Sequence, residues 1–184
     1  MPILLPKTIV PVEPTKDAPL FFLAGPIRGG GDWQCFMSES ILRKNIQAQI
    51  ACPSRWTRTH PLSHFFVKPF SEAANRQLHW ERHYMEQAGL GTEKHGCLIF
   101  WLGLENKHSP HPGPEPYAMD TRREIGKWTA FMGLLPVNVV VGGHPDFHGL
   151  SVILDELENA SGKSFPFHLS VEAVVDAAFA RVAG

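Results

Sequence analysis

From Cys97 to Leu102 the chain reads Cys-Leu-Ile-Phe-Trp-Leu, apolar at every position. A strand with one face in water alternates polar and apolar residues. An unbroken apolar strand is covered on both faces, as the central strand of a parallel sheet is. Leu20–Ala24 reads as a second buried strand, ended by Gly25-Pro26, and Ala48–Cys52 as a short one stopped by Pro53. Val137–Val141, with a Gly142-Gly143 turn behind it, and Phe165–Leu169 complete the set. Helical patterns separate these strands. They are Trp33–Asn45, with Phe36, Met37, Ile41 and Leu42 inward, and a helix from about Glu72 to Gln87. A helix then opens near Asp120 and runs to Met132, closed by Gly133; Ser151–Asn159 and Val171–Val182 follow, the last capped by Ser170. Strands alternating with helices, joined by right-handed crossovers, define an α/β fold. The expectation is a doubly wound parallel sheet of five strands with helices on both faces.

A chain of 184 residues suits one domain with a substantial core. Residues 1–18 hold four of the sixteen prolines and read as an extended arm, leaving residues 19–184 as that domain. Seventeen basic residues nearly balance eighteen acidic ones, so neither nucleic acid nor a membrane surface is an expected partner. No apolar run approaches the roughly 20 residues needed to span a bilayer. The prolines of Met1–Pro6 break any signal-peptide pattern. Cys35, Cys52 and Cys97 lack metal-like spacing, and buried thiols in a reducing cytoplasm are the expectation.

In doubly wound sheets ligands bind beyond the carboxyl ends of the strands, and two polar segments follow strands here. In Gly25-Pro26-Ile27-Arg28-Gly29-Gly30-Gly31, glycines let backbone amides approach an anion or a sugar, and Arg28 adds a charged planar donor. The same loop also reads as a plain turn, with Asp32 as the next helix's cap and Trp33 as its first-turn anchor. The other segment is Asp120-Thr121-Arg122-Arg123-Glu124-Ile125-Gly126-Lys127-Trp128. With Asp120 or Thr121 as the cap, Glu124 falls in the first turn, where the helix dipole keeps a carboxylate ionised for nucleophilic attack. Thr-x-x-Glu is equally the signature of a capping box, with both side chains held by backbone donors. Gln77 and Glu81 share a helix face; Glu81 suits proton exchange with a leaving base, and Trp80 suits either the core or packing on that base. His79 and His83 lie one turn apart without an evident third ligand, so no metal is expected.

Four motifs in order resemble the nucleoside 2-deoxyribosyltransferase-like family across residues 20–145: Phe-Leu-Ala-Gly-Pro, Gln-x-x-Trp-Glu, Ile-Phe-Trp and Thr-x-x-Glu-x-Gly-x-Trp. The loop Gly25–Gly30 is also similar to one in the related deoxynucleoside 5′-monophosphate N-glycosidases, where it helps hold the nucleotide. The resemblance implies a flavodoxin-like (Rossmann-like) sheet and a nucleophilic Glu124, assisted by Asp120 and Glu81. Around the substrate it implies Gly25, Pro26, Ile27, Arg28, Gly29, Gly30, Asp32, Trp33, Gln77, Trp80 and Thr121. It also implies a nucleoside or nucleotide and a free nucleobase as partners, no cofactor, and a homo-oligomer. The expected reaction is transfer of 2-deoxyribose between bases. Hydrolysis of nucleoside monophosphates and nucleotide sensing without turnover stand as alternatives. Three positions depart from the family pattern: Phe22 stands for a tyrosine, His95-Gly96-Cys97 replaces a segment bearing an aspartate, and Ala118 falls where another aspartate is usual.

Overall fold

A computed structural model describes residues 2–6, 9–54, 56–67, 77–90 and 95–183. The elements are β1 (Ile3–Leu4), β2 (Leu20–Ala24), α1 (Trp33–Lys44), β3 (Gln49–Ala51), a 3₁₀ turn (Pro61–Phe65) and α2 (Gln77–Gly89). They continue with β4 (Gly96–Leu102), α3 (Met119–Met132), β5 (Val139–Gly143), α4 (Leu150–Ser161), β6 (Phe167–His168) and α5 (Val171–Ala183). The part of the expected second helix before Gln77 lies outside the described residues.

The strands form one parallel sheet in the order β1-β3-β2-β4-β5-β6. It has six strands rather than five, because Ile3–Leu4 of the proline-rich arm pairs with Ile50 and Ala51 at the edge. Both arm residues are buried there. Farther along the arm, Val10 donates its N–H to the Tyr84 hydroxyl at 2.9 Å, which returns a bond to the Val10 carbonyl at 3.0 Å.

Period-two alternation sends successive strand residues to two cores. Phe22, Ala24, Leu98, Phe100 and Leu102 pack with Trp80, Tyr84, Ile125, Trp128 and Leu157, so α2, α3 and α4 cover that face. Phe21, Leu23, Cys97, Ile99 and Val140 pack with Met37, Ile41, Val174 and Ala178 of α1 and α5. Cys52 and Cys97 are buried free thiols, each pushed by burial up to about 12, while Cys35 is half-buried.

One helix face and two strands differ from expectation. Phe36 faces solvent at 64% exposure, because the inner face of α1 carries Gln34, Ser38 and Ser40 beside Met37 and Ile41. The fifth strand starts at Val139 and includes the expected turn: Gly142 and Gly143 pair with Trp101 and Leu102. A Cβ on Gly142 would run into Val174 of α5, which explains a glycine within the ladder. The last strand shortens to Phe167–His168, with Leu169 65% exposed. Ser170 does accept the Ala173 amide at 3.1 Å, capping α5.

Strand order reverses at the β2–β4 pair, so the crevice between their carboxyl ends is the topological switch point. No helix among the described residues is long and apolar enough to cross a membrane.

Candidate active site

The loop after β2 folds tightly. Trp33 Nε1 donates to the Pro26 carbonyl at 2.8 Å, bringing the start of α1 back onto the loop. A Cβ on Gly25 would lie 2.5 Å from the Trp33 ring and 2.6 Å from the Trp101 carbonyl, so only glycine fits. Gly29, at φ 75°, passes against His111, and its carbonyl accepts the Asn106 amide at 2.6 Å. The loop after β4 therefore lies directly on the glycine loop. Within it, Glu105 Oε1 accepts the His111 amide at 2.9 Å and lies 2.5 Å from His111 Nδ1. These bonds hold Glu105 below and His111 above their ordinary ranges. Arg28 is exposed at the edge of the loop, Ile27 half-buried and Pro26 buried.

Asp32 occupies the N-cap position of α1, yet its side chain makes no capping bond. Its Oδ1 accepts the Trp56 indole N–H at 3.0 Å and its Oδ2 lies 3.3 Å from His60 Nε2. The donor atoms of Asp32, Cys35 and His60 all lie within 4.8 Å of one another, the spacing of a cation site. The hydrogen bonds disfavour one. His60 Nδ1 accepts the Leu62 amide at 3.2 Å, so the ring hydrogen sits on Nε2 and points at Asp32. A cation on Nε2 would force Nδ1–H against Leu62 N–H.

The carboxylates meet on the opposite face of the sheet. Lys127 lies 3.9 Å from Glu86, and Gly89 packs against the Trp128 ring, so α2 and α3 run side by side. One to two turns toward their N-termini this places Glu81 beside Glu124. Gln77 Nε2 donates to Glu81 Oε1 at 2.8 Å, as the four-residue spacing requires. Burial pushes the Glu124 carboxyl up to about 8; the negative charges of Glu81 and Asp120 add to this, and Lys127 opposes it.

Two expectations about Glu124 are corrected. The N-cap of α3 is Ala118, in the left-handed conformation at φ 58°, without a side-chain cap bond. Neither Asp120 nor Thr121 caps; Asp120 is exposed within the first turn, and Thr121 is buried. Glu124 thus lies in the second turn, past the strongest part of the dipole. Desolvation and two like charges then favour a protonated carboxyl at neutral pH rather than an ionised one. Trp80 is fully buried, its ring against Phe22 and Tyr84, with Nε1 lacking a partner among the described residues. His79 is exposed, and His83 stands edge-on to Tyr84.

A cavity of about 350 Å³ opens beside the start of α3, lined by Glu105, Tyr117, Arg122 and Phe147 among others. Arg122 stacks 4.6 Å over the Phe147 ring and donates to the His148 carbonyl at 2.5 Å; the Tyr117 hydroxyl donates to the Gly103 carbonyl at 3.0 Å. Two residues subtend about 200° around a helix, so Arg122 and Glu124 point to opposite flanks of α3. The cavity flanks the carboxylate cluster rather than containing it. The arginine pair next to Glu124 is a sequence signal for Arg122, whereas Tyr117 and His111 have no local one.

No family model matches the chain, and no curated protein matches it. Fold and geometry define a doubly wound parallel α/β protein with a carboxylate cluster between α2 and α3.

Proposed function

We propose that the protein transfers 2-deoxyribose between nucleobases through an ester on Glu124. The observation that carries this reading is the raised Glu124 carboxyl beside Glu81 and Asp120. In the first step a Glu124 oxygen bonds to C1′ and the C1′–N bond breaks, its electron pair leaving with the base. The departing base needs one proton, and a protonated Glu124 must lose one before it attacks. The two requirements cancel, with no proton drawn from solvent. Glu81 is the carrier: Gln77 occupies one of its oxygens and orients the carboxylate. A nitrogen lone pair of the second base then attacks C1′ from the face opposite the ester, Glu124 leaves as the carboxylate, and the N–H proton of the incoming base returns through Glu81 to Glu124. Two inversions give net retention.

Supporting this reading are the four motifs, the sheet order they imply and the glycine loop at the β2 edge. Incubation with 2′-deoxyinosine and adenine is expected to give deoxyadenosine of retained configuration, and Glu124→Ala is expected to abolish it. Wild-type base exchange by Glu124→Ala would refute the mechanism. The exposed Arg28 at the glycine loop favours a second reading, hydrolysis of nucleoside 5′-monophosphates. Free base released from monophosphates alone, without exchange, would select it.

A further inference from the structure

Asp32 ends the glycine loop and begins α1, where a carboxylate ordinarily bonds the first-turn amides. It does not; both its oxygens turn to Trp56 and His60, 24 and 28 residues away in the chain. Those two donors form a rigid unit. Their rings stack at 4.1 Å and 10°, Phe66 lies near-parallel beside both at 6.0 Å from Trp56 and 6.1 Å from His60, and the Leu62 amide fixes the His60 ring. Even so, the Asp32 side chain stays 51% exposed. A carboxylate has about four acceptor positions, and two donors leave the others facing outward. The space at the neighbouring Gly31 is open: a Cβ there would meet nothing within 4 Å. A helix cap has been given up for a carboxylate held from behind and open in front.

We propose that Trp56 and His60 are positioning residues that aim Asp32 at a sugar hydroxyl of the bound nucleoside. The ligand class rests on the proposed function. The geometry adds that an acceptor-only group beside a glycine loop takes a hydroxyl donor, and that the segment from Trp56 to Phe66 belongs to the binding site.

The test is calorimetric titration with 2′-deoxyinosine and with its 2′,3′-dideoxy and 2′,5′-dideoxy analogues, each lacking one sugar hydroxyl. The proteins are wild type, Asp32→Asn, Trp56→Phe, His60→Ala and His60→Gln, with melting curves showing that each variant folds. Base exchange is assayed on the same preparations. Asp32→Asn is expected to weaken deoxyinosine binding about tenfold or more, as loss of a hydrogen bond to a charged group does. Trp56→Phe and His60→Ala are expected to weaken it several-fold, less so when Asp32 is already Asn, and His60→Gln to recover part of the loss. Against the one analogue that lacks the recognised hydroxyl, the variants are expected to match wild type. Equal losses against all three nucleosides, or none, would overturn the proposal and leave the transferase reading standing. Variant effects as expected but no base exchange would overturn the transferase reading instead. No nucleoside binding by wild type would overturn both.

Discussion

Glu124 of α3 lies beside two other carboxylates, Asp120 of the same helix and Glu81 of α2, and this makes its proton a matter of stability. Its folded value, about 8, lies above the ordinary 4.5, so the folded state holds this proton more tightly than the unfolded one. Stability from Glu124 is therefore present below about pH 4.5 and is lost as pH rises toward 8. Each unit of separation corresponds to about 1.4 kcal/mol. Glu124→Gln is expected to match wild type in urea melts near pH 4.5 and to exceed it at pH 8. If the proton of Glu124 serves the leaving base, kcat/KM falls as pH rises through about 8. Glu81→Gln removes a negative neighbour and is expected to move that limb to lower pH, besides slowing exchange. An unmoved limb would show that Glu81 does not act on Glu124. The protonated state of Glu124 was not legible in the sequence. Thr-x-x-Glu shows a carboxylate near a helix start, but the start itself was set by Tyr117, tied to Gly103, and by the left-handed Ala118.

Among the elements, strands with continuous apolar runs were legible almost to the residue, since burial on two faces demands such a run. Leu20–Ala24 is as expected, and the central strand gains only Gly96. The inward face of α1 was less legible: serines and a glutamine line it, so the apolar period is blurred and Phe36 was misplaced. Pro2 and Pro6 flank β1, two residues too short to show any period. Its place is fixed from outside, by β3 and by the Tyr84 clamp on Val10. Tyr84→Phe removes both of those bonds and leaves a buried amide unpaired; about 1–3 kcal/mol of stability is expected to go, measured by urea denaturation. Ser170→Ala is expected to cost about 1 kcal/mol by the same measurement, through the α5 cap.

Across the whole molecule, β1 shields the outer edge of β3. Deleting residues 2–12 would uncover that edge and the core contacts of Leu4 and Val10. An exposed edge templates pairing with other chains, so light scattering should report aggregation at temperatures where the full chain stays dispersed. Dispersed, cooperatively folded truncated protein would show the arm to be dispensable. The sequence by itself determined the α/β class and the burial of the central strands on both faces, because hydrophobic period and chain direction are local properties. Only the tertiary structure decided the protonation of Glu124, the partners of Asp32 and the bond from the Asn106 amide to the Gly29 carbonyl that ties the two loops together. Each of these depends on groups distant in the chain meeting in a partly desolvated space, where their charges and donors act at full strength.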